Sequence, residues 1–375
     1  MIIDLPDTTT TAISKRLVAA RQDVGSMALS RVLTLIIVVD EQVAEPAIAT
    51  ANSASRQHPS RIIVVVLGNK RSSARLDGQI RVGGDAGASE VVVCRLFGPL
   101  VDHGRSVVTP LLLADSPIVV WWPAEAPKNP GADPIGEMAQ RRVTDSTEVG
   151  VQPRTALRRL AESYTPGDTD LAWSRITRWR GLLAAALDQA PFEPVLRATV
   201  TGAPDSPSAD LLAGWLAYRL KCPVELARSR KSSGVISVRL VRASGPLDLV
   251  RPEEGNVATL CQPGQPNRTI ALTHRTDAEC LADELRRLDP DEVYEDALRR
   301  GLPTVHHTRM TQSRAVKEGL APSVAEAEKV ARSLKRQARA MASNSMVTAA
   351  LPPKAAASEA GAVKKAARRK LAAAD

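Results

Sequence analysis

Aromatic residues make up only 3% of this 375-residue sequence: two Phe, three Tyr and five Trp. Its cores must therefore be built from Val, Ile, Leu and Ala. Cysteine is scarce as well. Cys94, Cys222, Cys261 and Cys280 are far apart, with no CxxC and no nearby Cys/His cluster. That excludes a disulfide framework and a cysteine zinc site, and it fits reduced thiols in the cytoplasm. The longest apolar runs, 33–39, 62–67 and 117–122, fall far short of the roughly 18–20 residues a membrane helix needs. The first seven residues, MIIDLPD, lack the basic start and apolar stretch of a signal peptide. A cytoplasmic chain without a membrane partner is expected. Phosphate-binding signatures are missing too. There is no GxxxxGK[ST] and no GxGxxG, and the glycine-rich stretch 83–87 lacks the lysine and spacing a phosphate loop requires, so it reads as a turn. No enzyme signature, cofactor or metal is predicted.

The formal charge is +9, and its location matters more than its size. Residues 302–375 hold 14 Lys/Arg and 5 Asp/Glu, leaving 36 of each sign in residues 1–301. The body is neutral, so the strongly basic face of a specific nucleic-acid binder is not expected there. The tail has no aromatic residue to stack on bases, which leaves only weak, salt-sensitive polyanion binding.

The patterning predicts an α/β protein of two mixed α/β domains, at 1–150 and 151–301. A linker and basic helix follow at 302–343, then a disordered Ala/Lys/Arg-rich tail at 344–375. In the first domain, a helix ending at Gly25 precedes the β-branched run 32–39, a strand buried on both faces. A helix over 41–55 and a strand at 61–67 complete a βαβ unit with a parallel pair. Further strands are predicted at 79–82, 90–97 and 118–122. Asp102 should open a helix over 103–114, kinked by Pro110. The second domain begins with a helix capped by Asp170, with Ala172, Ile176, Trp179, Leu183 and Leu187 on one stripe. Strands are expected at 195–201, 224–227, 234–241, 256–261 and 269–272, the antiparallel part late. Ser208 should cap the helix between the first two, and short helices at 278–288 and 292–300 close the domain. Ser323 and Glu326 form a capping-box pattern opening the basic helix, which is expected to run to about residue 341.

Several residues are candidates for function. Cys94 lies in a strand pattern and reads as a core residue, not a nucleophile served by His103. His306 and His307 lack acidic or thiol partners and read as a solvated loop. Asp102, His103, Arg105 and Ser106 form the most polar cluster of the first domain. Asp102 and Ser106 read first as helix caps; an anion held at the 102–106 helix start by Arg105 and free N–H groups is the alternative. Trp121 and Trp122 must point to opposite faces of their strand. One is core, and the other is expected exposed as a partner anchor, or covering a helix. Arg175 and Arg178 flank Trp179 and read as a solvated face or as interface residues.

Three blocks carry a family resemblance: His58-Pro59-Ser60-Arg61 entering a Val/Ile strand; Arg95-Leu96-Phe97-Gly98-Pro99-Leu100 with Asp102-His103 and the stretch to Trp122-Pro123; and Asp170-Leu171-Ala172-Trp173 with Arg175 and Trp179-Arg180. Over residues 1–300 the chain resembles the glucose-6-phosphate dehydrogenase assembly protein (OpcA) family of actinobacterial type. The resemblance implies a non-enzymatic assembly factor or allosteric activator. It would bind glucose-6-phosphate dehydrogenase and support its active oligomer in the oxidative pentose phosphate pathway. Candidate partner contacts are then Arg95, Asp102, His103, Arg105, Trp121, Trp122, Arg175 and Arg178. In the cyanobacterial branch the resemblance implies redox control through cysteines. Here Cys261 and Cys280, 19 residues apart, could serve only if the fold joins them. The alternative is a sensor of a sugar phosphate or NADP, or an unrecognised enzyme, using the 102–106 helix start.

Overall fold

The structure is a computed structural model. It describes residues 1–23, 32–56, 58–83, 90–148, 152–229, 234–252, 255–307 and 310–349, with side chains as far as 340. It divides into two compact units, Met1–Val324 and Ala325–Asp375.

The elements of the first sheet and its covering helices are β1 (Ile2–Leu5), α1 (Thr10–Asp23), β2 (Leu33–Val39), α2 (Glu41–Ala54), β3 (Ser60–Leu67), β4 (Arg75–Arg81), β5 (Glu90–Phe97), α3 (Gly104–Val108), β6 (Ile118–Trp122), β7 (Arg141–Thr144), α4 (Pro153–Ser163) and β8 (Asp168–Asp170). The strand order is β1-β4-β5-β3-β2-β6-β7-β8. The six strands from β5 to β8 are parallel, and β4 and β1 add antiparallel at one edge. Taken alone, the parallel strands follow the 3-2-1-4-5-6 order of a doubly wound dinucleotide sheet.

The β-branched runs are buried on both faces, as such runs should be in a parallel sheet. Leu35, Ile37 and Val39 pack against α2, while Ile36 joins Ile13 and Leu17 of α1 on the opposite face. Each such side chain contributes about 1.5–3 kcal/mol by burial. The helix α8 (Asp277–Arg286), far along the chain, also packs on the α2 side through Cys280, Leu281 and Leu285.

After β8 come α5 (Leu171–Arg175), α6 (Thr177–Leu187), β9 (Arg197–Gly202), α7 (Pro207–Leu220), β10 (Val224–Arg228), β11 (Val235–Arg242), β12 (Gly245–Val250), β13 (Val257–Cys261) and β14 (Arg268–Ala271). The strands form a second sheet in the order β10-β9-β11-β12-β13-β14. Only β9 and β10 are parallel, so the antiparallel part comes late, as expected. Helices α5, α6 and α7 supply Trp173, Trp179, Leu183, Leu212 and Leu216 to its core. Beyond α8, α9 (Glu292–Glu295) runs into a π-helical turn, Asp296–Gly301, that lies across α7. A Cβ on Gly301 would sit 1.9 Å from the Gly214 carbonyl oxygen, so only glycine permits this crossing. The first unit ends with α10 (Gln312–Lys317); α11 is Val324–Ala349.

The structure corrects several expectations. The helix over 103–114 is only α3, flanked by 3-10 turns Gly98–His103 and Thr109–Leu111. Asp102 does not cap it, because its carboxylate binds Lys70 at 2.7 Å. Asp170 caps α5 as predicted, by accepting from the Ala172 N–H, but the helix breaks at Ile176 before α6. The cap of α7 is Ser206, not Ser208; the Ser208 hydroxyl lies inside the helix and donates to the Ala172 carbonyl. Strands β1, β7, β8 and β12 were not expected. His306 and His307 are exposed, as a solvated loop would be, but the segment is tied down: the His306 N–H donates to the Val224 carbonyl and the Arg228 N–H to the Met310 carbonyl, both at 2.9 Å, alongside β10. The basic helix runs past 341 to Ala349, into the stretch expected to be disordered. Gly25, most of the 83–87 turn and the tail beyond 349 lie outside the described residues. Among the described residues no helix is long and apolar enough to cross a membrane, and no cluster of three or more His, Cys, Asp or Glu could hold a metal.

Candidate functional site

In a doubly wound sheet, ligands bind beyond the carboxyl ends of the strands, where the strand order reverses. Here that point lies between β2 and β6. A dinucleotide site needs a glycine-rich turn there, so that the pyrophosphate can rest on the helix N-terminus. This chain instead turns through Val39-Asp40-Glu41 straight into α2. Asp40 and Glu41 are exposed, so this turn carries carboxylates where a dinucleotide turn carries glycines.

The expected site residues lie along the same edge but do not converge. Glu41 accepts from Arg95 Nε at 2.9 and 3.0 Å. Lys70 and Asp102 pair with about two thirds of each side chain exposed, and Arg105 pairs with Glu137 at 2.9 Å. Such surface pairs contribute little to stability, so this edge is a mixed-charge surface. Arg105, the cation that an anion at 102–106 would need, is already committed. His103 stands exposed at the start of α3.

Trp121 and Trp122 do point to opposite faces, but both are buried, at 3% and 2% exposure. Trp121 joins the α2 and α8 side and Trp122 the α1 and α3 side. Helices cover both faces, so neither indole is an exposed anchor.

Arg175 is not part of a solvated face either. It binds both oxygens of Asp145 at 2.8 and 2.6 Å and reaches Asp277 of α8 at 2.7 Å. Beside it, buried Asp170 accepts from the Thr144 hydroxyl, the Ser146 N–H and hydroxyl, and the Ala172 N–H. Burial, and then the Asp145 charge, push the Asp170 carboxyl up to about 6 against those four donors. A second buried group lies nearby. Arg141 of β7 donates to Glu284 of α8, which also accepts from the Ser174 hydroxyl of α5. These two groups tie the end of the first sheet to α5 and α8. Arg178 stays at the surface, bonded to Thr273 and 3.7 Å from Glu279. These contacts form a structural junction, with no nucleophile–base pair among its described residues.

Cys261 is half-buried on β13 of the second sheet, whereas Cys280 is buried in α8 against the first sheet; both are free. Burial pushes the Cys280 thiol up to about 12, far from the low pKa of a reactive thiol. The same holds for Cys94, also pushed to about 12 by burial within β5.

Sequence reasoning missed Phe192. It is one of only two phenylalanines, yet it is 81% exposed, with Leu196 nearby at 56%. Its signal was its place between Pro191 and Pro194, outside any regular element.

Comparison with known proteins adds the decisive observation. Residues 51–162 match the family model described as the glucose-6-phosphate dehydrogenase subunit N-terminal domain, of the OpcA assembly type. Residues 166–298 match the corresponding C-terminal domain model. The chain belongs to the OpcA glucose-6-phosphate dehydrogenase assembly family. The OpcA-family match reaches across both sheets and includes Arg95, Asp102, Asp170 and Arg175. No curated protein matches the chain. Solved structures that resemble it do so weakly. An NAD-binding oxidoreductase from Klebsiella pneumoniae shares 10% identity over 77% of this chain and 98% of its own, with a TM-score of 0.37. A scyllo-inositol dehydrogenase from Lactobacillus casei shares 11% over 80% and 97%, with a TM-score of 0.29. A glucose-6-phosphate dehydrogenase bound to its substrate shares 9% over 77% and 90%, with a TM-score of 0.26. Scores this low carry no argument about the OpcA-family fold or its chemistry.

Proposed function

We propose that this chain is a non-enzymatic assembly factor that binds glucose-6-phosphate dehydrogenase and supports its active oligomer, in the cytoplasm, within the oxidative pentose phosphate pathway. Family membership over both halves of the chain carries the reading. The acidic Asp40-Glu41 turn supports it, because it opposes a dinucleotide in a sheet whose order otherwise suits one. To activate its partner, the chain must bind the active form more tightly than the inactive one, since equal affinity shifts nothing.

The contact surface proposed here differs in part from the sequence expectation. Arg95, Asp102, His103 and Arg105 lie on the accessible edge and remain proposed contacts. Among the described residues Phe192 is the one exposed large aromatic, and aromatic anchors dominate binding energy. Sedimentation velocity of the purified dehydrogenase, alone and with the chain, tests the proposal. A faster-sedimenting complex containing both proteins is expected. Two independent boundaries at micromolar concentrations would remove it.

A further inference from the structure

A concavity of the first unit lies away from the sheet edge. It has a volume of about 780 Å³, inside the roughly 300–1,000 Å³ range of small-molecule sites. Helix α4 contributes Arg154 and Arg158 to it, β10 ends in it at Arg228, and the π-helical turn brings Arg299. His307, on the segment alongside β10, completes the polar wall. Apolar lining comes from Leu157, Leu298 and Leu302. The Gly214–Gly301 crossing sets the π-helical turn against α7 and so shapes this wall.

The charges here are unequally committed. Arg154 donates twice to Asp210, at 2.8 and 2.9 Å, and Asp210 is only 1% exposed, so that carboxylate is spent. Arg299 pairs with Glu295 at 3.0 Å. Among the described residues no carboxylate pairs with Arg158 or Arg228, although exposed Glu162 also lines the space. The Arg228 Nε–H is buried with no hydrogen-bond partner at all. Leaving a buried, charged donor unmade is costly unless something else fills the place. Arg154, Arg158 and Arg228 all act on His307. Burial first, and then these three positive charges, lower its pKa against the pull of Asp210.

We propose that this cavity is a binding site for a phosphorylated small molecule, whose phosphate is held by Arg158 and Arg228 while its carbon skeleton rests on Leu157, Leu298 and Leu302. A carboxylate brings one negative charge, which one guanidinium neutralises. A phosphate monoester brings nearly two, with three acceptor oxygens, and matches two planar guanidinium groups from different elements. The apolar lining and the bounded volume favour a compact ligand over an extended acidic peptide. Such a site makes the protein a sensor of a phosphorylated metabolite, whatever protein it binds.

Isothermal titration calorimetry of the full-length chain with inorganic pyrophosphate at low salt tests the site. One site with a Kd below about 1 mM is expected. Each lost charge-assisted bond costs about 10- to 100-fold in affinity, so Arg158→Gln with Arg228→Gln should weaken binding at least 10-fold. Arg158→Gln alone changes an exposed side chain, so it retains the fold and should still show a measurable loss. Arg105→Gln, at the other edge, should bind as the wild type does. Absence of binding up to about 10 mM, or equal affinity in the double variant, would overturn the proposal. So would a Glu-rich peptide that binds this cavity and is not displaced by pyrophosphate, which would make it a protein-docking site.

Discussion

Replacing Glu284 by Gln should unfold the protein several degrees earlier, and the size follows from what the carboxylate touches. Glu284 accepts from Arg141 Nε at 3.0 Å and from a second Arg141 nitrogen, and it accepts the Ser174 hydroxyl as well. The Arg141 and Glu284 side chains are 3% and 6% exposed. Glutamine keeps the shape and removes the charge. Arg141 then keeps neutral acceptors only, the amide oxygen at 284 and the Asp289 carbonyl at 2.8 Å, and has no countercharge inside a nearly dry site. Breaking a buried pair in this way costs about 3–5 kcal/mol, because the remaining charge is uncompensated. An unfolding entropy of about 2.1 cal/mol/K per residue gives about 0.7 kcal/mol/K for a unit of this size. The melting temperature should therefore fall by about 4–7 °C, measured by circular dichroism. The double change Arg141→Met with Glu284→Leu should recover most of the loss, since removing both charges avoids the desolvation penalty. A Glu284→Gln protein within about 1 kcal/mol of the wild type would refute this reasoning. So would a double variant as unstable as the single one.

Other outcomes follow from the same geometry. Phe192→Ser should leave the melting temperature unchanged, because the ring is exposed, yet weaken association with the dehydrogenase about 30-fold or more if it is an anchor; a binding isotherm on both proteins reads this. Gly301→Ala should cost about 1–3 kcal/mol of stability, because the added methyl meets the Gly214 carbonyl at 1.9 Å in an overpacked crossing; urea unfolding measures it. Asp170 gives a pH test. Its folded pKa is raised from about 3.8 to about 6, so its stabilising contribution is present below pH 4 and is lost as pH rises through 6. Compared with Asp170→Asn, the wild type should lose about 2 kcal/mol of its stability advantage between pH 4 and pH 7, as urea midpoints at the two pH values would show.

What could be read from the sequence depended on whether an element makes its own case. The runs at β2, β3, β5 and β6 are Val- and Ile-rich, so their burial is written in their composition. Strands β7 and β8 read Arg-Arg-Val-Thr and Asp-Thr-Asp, which looks like loop. They are buried strands because Arg141 meets Glu284 from 143 residues away and Arg142 meets Asp168. Charge cancelled by distant partners is invisible to local periodicity. The same cause misplaced Asp102, a plausible cap that bonds Lys70 instead, and it made Arg175 look solvated. The alternation rule for Trp121 and Trp122 held, but alternation says nothing of which faces later helices will cover. The cavity was out of reach for a related reason: its arginines come from residues 154, 158, 228 and 299, and only the packing of α4, β10 and the π-helical turn brings them together. Family membership was legible, because its markers are short contiguous blocks.

The proposed role is to act on another enzyme while performing no turnover. It is tested most directly by following NADP reduction at a fixed, low concentration of purified glucose-6-phosphate dehydrogenase while the chain is titrated in. Activity should rise and saturate at a defined stoichiometry, with no reduction by the chain alone. A flat response at every ratio, or turnover by the chain without the dehydrogenase, would contradict it.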